Sequence, residues 1–235
     1  MKKGEKMKIH GLMKMTLLDY PGLVACTVFL GGCDMRCPFC HNSELLDMNA
    51  PEEMDENGLY DFLGKREGLL DGVVFTGGEP LLRKELPEVM AKVHEMGFKI
   101  KLDTNGNHPD RLKEIVEAGL ADYVAMDIKN SQDKYGITIG IPEFDISNVK
   151  KSVEYLLSGK VPYEFRTTVL KQFHDEESMK GISGWISGAE RYYIQQFVDR
   201  DTVKYGGLEA CSAEQMKTFL EIVKPHVKEA ALRGV

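Results

Sequence analysis

No apolar run in this 235-residue chain approaches the roughly 20 residues that a membrane span requires. The stretch 13–32 is broken by Asp19, Pro21 and several glycines, so it does not read as a signal peptide. Basic residues are in deficit: 30 Lys and Arg stand against 37 Asp and Glu, a formal net charge of −7. Nothing suggests a phosphate-binding face, which argues against nucleic acid as a partner. The basic stretch 2–8 is short and reads as a frayed terminus. Cysteine is scarce, five residues in all, and three of the five are crowded together. Without an export signal, that pattern argues for metal over disulfides and for the reducing cytoplasm. No internal repeat, low-complexity tract or long linker marks a second domain. With 43% hydrophobic residues the chain can build one good core. It is read as one domain over 1–235, with an N-terminal extension over 1–22, a core over 23–200 and a C-terminal helical region over 201–235.

What is present is an alternation of short β-type runs with amphipathic helical patterns. Strands are expected over 25–30, 72–76, 99–103, 123–128, 164–170 and 192–198. Most are continuous apolar or β-branched runs, as parallel strands covered on both faces should be. Helical patterns over 82–96, 109–118 and 146–157 fill the gaps, and Gly97, Gly119 and Gly159 mark their ends. Ser212-Ala213-Glu214-Gln215 is a capping box opening a last helix with Met216, Phe219, Leu220 and Val223 inward. The alternation predicts an α/β fold, a partial (β/α)6 barrel of parallel strands open on one side. Chemistry in such barrels sits at the C-terminal strand ends. The unusual polar residues fall there: the cysteine loop, Gly77 to Pro80, Asp103 to Asn107, Asp127 and Lys129, Arg166 and Thr168, Gln195 and Gln196.

Cys33, Cys37 and Cys40 form a C-x3-C-x2-C cluster after the first strand. Thiolates suit soft metal centres and iron–sulfur clusters. Three of them hold three corners of a four-iron cube and leave the fourth iron open to a substrate or cofactor. The competing reading is a structural zinc site with His41 as fourth ligand. It lacks a second cysteine pair, and the adjacency of Cys40 and His41 is awkward for one tetrahedron. In Gly77-Gly78-Glu79-Pro80 the glycines let a ligand approach the backbone and Glu79 could accept from an ammonium group; alone, the motif reads first as a plain strand-to-helix turn, a reading that recedes after the cysteine loop on the preceding strand. Asp103-Thr104-Asn105-Gly106 could hydrogen-bond a ribose or carboxylate, or be only a turn. Asp127 and Lys129 share a strand face and need a ligand or each other. Phe39 either covers a planar base or packs locally. Cys26 reads as a small buried hydrophobe, and Cys211 as a structural or a functional thiol.

The cysteine loop, with an aromatic before its last cysteine, and Gly77-Gly78-Glu79-Pro80 together resemble the radical S-adenosylmethionine (SAM) superfamily. Ile9-His10-Gly11, Leu17-Leu18-Asp19-Tyr20-Pro21-Gly22 and Val28-Phe29-Leu30-Gly31-Gly32-Cys33 resemble the opening of its glycyl-radical-enzyme activating proteins. Among these the chain is most similar to those that serve anaerobic ribonucleoside-triphosphate reductase, over roughly 8–200. The resemblance implies an oxidoreductase with one 4Fe–4S cluster on Cys33, Cys37 and Cys40. It also implies SAM held by Phe39, Gly77, Gly78, Glu79, Thr104, Asn105, Asp127, Lys129 and Thr168. A monovalent cation on Asp103, Thr104, the Ala125 carbonyl and Asp127 is implied by the related pyruvate formate-lyase activase. That activase has a histidine after its sixth strand where this chain reads Gln195-Gln196-Phe197-Val198, so strand-six contacts do not carry over. The implied reaction is reductive SAM cleavage to a 5′-deoxyadenosyl radical that removes a hydrogen from a glycine of a partner enzyme. The expected partners are anaerobic ribonucleotide reductase and a flavodoxin- or ferredoxin-type electron donor. The alternatives are a radical enzyme acting on a small molecule, like 7-carboxy-7-deazaguanine synthase, and a zinc-stabilised binding module.

Overall fold

Residues 25–30, Ala-Cys-Thr-Val-Phe-Leu, carry side chains that suit burial on both faces, and five of the six are buried in the computed structural model, which describes residues 6–235. Most of the basic stretch 2–8 lies outside the described residues. The chain forms two compact units: residues up to Asp34 with Glu44–Thr104 and Asp110–Val124, and Met35–Ser43 with Asn105–Pro109 and Ala125–Val235.

In chain order the first unit carries β1 (Lys8–Ile9), β2 (Gly11–Thr16), β3 (Ala25–Leu30), β4 (Met54–Asp55), α1 (Glu56–Gly64), β5 (Gly72–Gly77), α2 (Leu86–Glu95), β6 (Lys99–Thr104), most of α3 (Pro109–Glu117) and the start of β7 (Tyr123–Asp127). Strands β3, β5 and β6 run parallel, with Ala25 opposite Gly72 and Gly72 opposite Lys99. Just before β7 the Asp122 N–H donates to the Ile100 carbonyl at 2.8 Å. The helices lay their apolar stripes on the sheet: Leu86, Val89, Met90 and Val93 of α2 and Leu112, Ile115 and Val116 of α3 are buried. The expected helix over 82–96 begins later, at Leu86. Pro80–Leu82 is instead a 3-10 turn whose N-cap is Glu79.

The second unit continues from the end of β7 through α4 (Tyr135–Thr138), α5 (Ser147–Leu157), β8 (Tyr163–Val169), α6 (Glu176–Trp185), β9 (Arg191–Gln196), α7 (Ala213–Val223) and β10 (Glu229–Arg233). Strands β8, β9 and β10 are parallel, and the Ile128 N–H after β7 donates to the Arg166 carbonyl at 2.8 Å. The expected capping box is formed: Ser212 Oγ accepts from the Gln215 N–H at 3.1 Å, and Gln215 Oε1 accepts from the Ser212 N–H at 2.9 Å. Met216, Phe219 and Val223 are buried as expected, and Leu220 is half-buried.

The fold is therefore α/β with a mostly parallel, unclosed sheet. It holds the six expected strands and two more: β2, an antiparallel edge strand with an irregular register between Met13 and Thr16, and β10 at the C-terminus. The segment of β10, Glu-Ala-Ala-Leu-Arg, has helical propensity, and tertiary pairing overrides it. Arg233 donates to both carboxylate oxygens of Glu164 at 2.8 and 3.0 Å, and Glu164 is 1% exposed. A buried carboxylate needs such a cation. Helix α6 also escapes its sequence pattern because it contains Gly181 and Gly184. A Cβ on Gly181 would stand 2.7 Å from the Ser131 Cβ, so that glycine serves close packing. Among the described residues no helix is long and apolar enough to cross a membrane.

His174, 3% exposed, is held neutral in the second unit. Its Nδ1 accepts from the Leu170 N–H at 3.3 Å, and its Nε2 lies 2.9 Å from the Lys129 carbonyl, which fits the Nε2–H tautomer. Burial lowers its pKa to about 4 from the ordinary 6.5. The unfolded chain therefore takes up a proton first. The stabilisation is complete above pH 6.5 and is lost as the pH falls toward 4. Unfolding free energy from urea melts should drop by about 2 kcal/mol between about pH 7.5 and pH 5, and His174→Asn should flatten that slope.

Candidate active site

In the first unit the strand end at Gly77 and the opening of the cysteine loop are built against each other. The Gly78 N–H donates to the Leu30 carbonyl at 2.8 Å and the Glu79 N–H to the Gly32 carbonyl at 2.7 Å. The Gly32 N–H donates to the Leu45 carbonyl at 2.7 Å and the Cys33 N–H to the Leu46 carbonyl at 3.3 Å. The glycine pair, expected to give a ligand room, gives this room to the loop backbone. A Cβ on Gly77, whose φ is +123°, would meet the Leu30 N and O at 2.4 Å, and one on Gly78 would meet the Gly32 O at 2.1 Å. Gly78→Ala should therefore cost about 3 kcal/mol in a urea melt. Gly64→Ala, where a Cβ meets nothing within 4 Å, is the control expected to be near neutral.

Glu79 is fully buried, at 0% exposure. Its Oε1 accepts from the Leu81 N–H at 3.0 Å and from the Thr104 hydroxyl at 2.8 Å. The structure thus brings together two of the predicted residues from the ends of adjacent strands. Asp103, two residues along β6 from Lys101, holds the ammonium of that lysine, which is 1% exposed.

In the second unit the loop continues with Met35–Ser43. The Arg36 N–H donates to the Ile139 carbonyl at 2.9 Å, and the Cys40 N–H to the Cys37 carbonyl at 3.2 Å. Burial pushes the Cys37 thiol up to about 11, with the Lys129 ammonium acting in the opposite sense. Asp127 accepts from Lys129 Nζ at 2.9 Å and from Arg166 Nε at 2.8 Å. Burial works against its charge, but Arg166 and Lys129 outweigh that and hold the carboxyl well below its usual range. Burial likewise opposes the Lys129 charge, and Asp127 beside it holds the ammonium well above its usual value. The mutual ion pair considered for Asp127 and Lys129 is thus present, with Arg166 as a third member. Arg166 was placed on the rim but not among the binding residues. The legible signal was a charge inside an apolar parallel strand. Thr168 is partly exposed two residues on, so on the same strand face, and its register partner on β9 is Gln195. Gln196 donates to the Cys211 carbonyl at 2.7 Å. Asn105 is buried, and its Oδ1 accepts from the Asn107 N–H at 2.9 Å.

Phe39 is 5% exposed, clusters with Leu170 and Phe197, and lies 5.9 Å from the Phe173 ring. Its local packing is on view. His41 stacks on Phe197 at 5.6 Å, and its Nε2 is 2.7 Å from the Val198 carbonyl. Cys26 is fully buried with its thiol raised to about 12 by burial, as a packing residue's should be, and burial raises the Cys211 thiol too.

Cys33, Cys37 and Cys40 are partly exposed, and none of them is in a disulfide. Among the described residues no three Cys, His, Asp or Glu side chains form a group that would hold one metal ion. By their chemistry, three soft thiol donors suit an iron–sulfur cluster. The expected cation ligands fit less well: Asp103 and Asp127 are each paired with side-chain cations.

The family model for the radical SAM superfamily matches residues 27–180, and the chain belongs to that superfamily. Within it, a candidate glycyl-radical enzyme activating enzyme of Methanocaldococcus jannaschii is 30% identical, over 98% of this chain and 97% of its own. The pyruvate formate-lyase-activating enzyme of Clostridium pasteurianum is 32% identical over 63% of each chain. A crystallised domain of the pyruvate formate-lyase-activating enzyme of Bacteroides vulgatus has the same fold. Its TM-score is 0.58 at 19% identity, covering 69% of this chain and 99% of its own. The chain is a radical SAM protein of the glycyl-radical-enzyme activating group.

Proposed function

We propose that this protein installs a glycyl radical on anaerobic ribonucleoside-triphosphate reductase. Cys33, Cys37 and Cys40 would hold a 4Fe–4S cluster, beside which SAM would bind. Glu79 receives the ammonium of the cofactor's methionine end, while Thr104, Asn105, Asp127, Lys129 and Thr168 contact its ribose and carboxylate. When bound, the cluster and SAM supply one-electron cleavage and a radical able to abstract hydrogen. The residues of the chain supply position. A buried carboxylate fixed by Leu81 and Thr104 meets an ammonium without reorganising, and Lys129 offers a cation to a carboxylate. A flavodoxin- or ferredoxin-type protein serves as electron donor.

The likeness to the Methanocaldococcus jannaschii activating enzyme supports the activase part of this reading, and one structural observation supports its radical SAM part. Glu79, wholly buried, is bonded through its own backbone to Gly32, the residue before the first cysteine of the loop. Within the first unit, the backbone leading into Cys33 and the Gly77–Pro80 turn are thus bonded to each other.

The test is electron paramagnetic resonance on the anaerobically reconstituted, reduced protein mixed with SAM and a purified anaerobic reductase. A glycyl radical signal that needs all three components is expected. SAM turnover without a signal in any glycyl-radical partner would move the assignment to a small-molecule substrate.

A further inference from the structure

We infer that Lys101 is a built-in counter-ion for Asp103 that takes the place of an added monovalent cation, making this protein independent of potassium and sodium. Lys101 stands in the middle of β6, opposite Val74 of β5, with its side chain 1% exposed. An ammonium at that depth is costly unless paired. Lys101 and Asp103 lie two residues apart on one strand, hence on one face, so the lysine stem runs along β6 and its head reaches the carboxylate at the strand end. Asp103, 12% exposed at its side chain, is therefore neutralised from within its own unit. In the other unit Asp127 carries two side-chain cations, Lys129 and Arg166. A monovalent cation is held by carboxylates whose charge is not already balanced. Added here, it would meet an ammonium at the first carboxylate and two cations at the second. The side-chain cations Lys101, Lys129 and Arg166 thus already supply the charge that an added cation would bring.

The experiment compares potassium, sodium and tetramethylammonium chlorides at equal ionic strength, since tetramethylammonium is too large to enter a carboxylate site. Melting temperature is read on the full-length protein without SAM, and SAM affinity by calorimetry on the cluster-loaded protein. Only the second arm rests on the function proposed above. Wild type should melt at the same temperature and bind SAM equally in all three salts. Lys101→Met removes the Lys101 ammonium from Asp103. It should melt lower in tetramethylammonium, gain about 3 °C in potassium or sodium, and recover SAM affinity about tenfold with them. The double variant Lys101→Met with Asp103→Asn removes both charges and should respond to none of the salts. A wild-type melting temperature or SAM affinity that rises in potassium or sodium overturns the inference. So does a folded Lys101→Met protein that ignores both ions. If Lys101→Met does not fold, the wild-type and double-variant melts still decide: a cation response in either one defeats the proposal.

Discussion

Serine in place of Cys33, Cys37 or Cys40 should leave a folded, colourless protein with no SAM cleavage. None of the three cysteines is in a disulfide and each keeps some exposure, so a serine, close in size, should not unfold the chain. The loop is held instead by backbone bonds: Cys33 to Leu46, Arg36 to Ile139, and Cys40 to Cys37. A serine hydroxyl is a poor ligand for a soft iron centre. With only three protein ligands on the loop, no spare cysteine can step in. Cys26 and Cys211 are buried, with thiols raised by burial. We expect iron content after anaerobic reconstitution to fall to background and SAM cleavage to drop at least about 100-fold, beyond the usual effect of losing a ligand's supporting contact. Cys26→Ala should keep full iron and lose only packing energy, about 1 kcal/mol. A cysteine variant that retains both iron and turnover would falsify the ligand assignment.

Glu79→Gln and Glu79→Ala should separate the binding role of this side chain from its structural one. Glu79 Oε1 accepts from the Leu81 N–H and the Thr104 hydroxyl in a site with no solvent exposure. Glutamine keeps a carbonyl acceptor in the same place, so stability should change little. It removes the negative charge, and a charge-assisted hydrogen bond to an ammonium contributes about 1.5–3 kcal/mol. SAM affinity measured by calorimetry should therefore weaken about 10- to 100-fold. Alanine strands both donors in a dry site and should lower stability by about 3 kcal/mol as well. Equal SAM affinity in wild type and Glu79→Gln would show that the carboxylate serves only the turn at Pro80–Leu82.

Much of the fold was legible because burial on both faces leaves a strong mark. The continuous apolar runs at 25–30, 72–76 and 123–128 are strands, and the stripes of α2, α3 and α5 are buried. What escaped is what depends on a distant partner. The edge strand β2 is short of buried side chains and keeps an irregular register. The last strand, β10, has an alanine-rich sequence with no strand preference of its own, and it pairs in the sheet where Arg233 meets the buried Glu164. The glycines 77 and 78 were legible as necessary, but not for the right neighbour: the tight contact is with Leu30 and Gly32 of the same unit.

The amino-acid sequence alone determined the chemistry on offer, because a C-x3-C-x2-C loop and a Gly-Gly-Glu-Pro turn are local patterns that need no partner to be read. Only the tertiary structure decided how the charges are settled. Lys101 on Asp103, and Lys129 with Arg166 on Asp127, are pairings in which at least one cation lies on another strand or is hidden within its own. The physical reason is that a buried charge has no meaning by itself. Its cost depends on which opposite charge the fold brings to it.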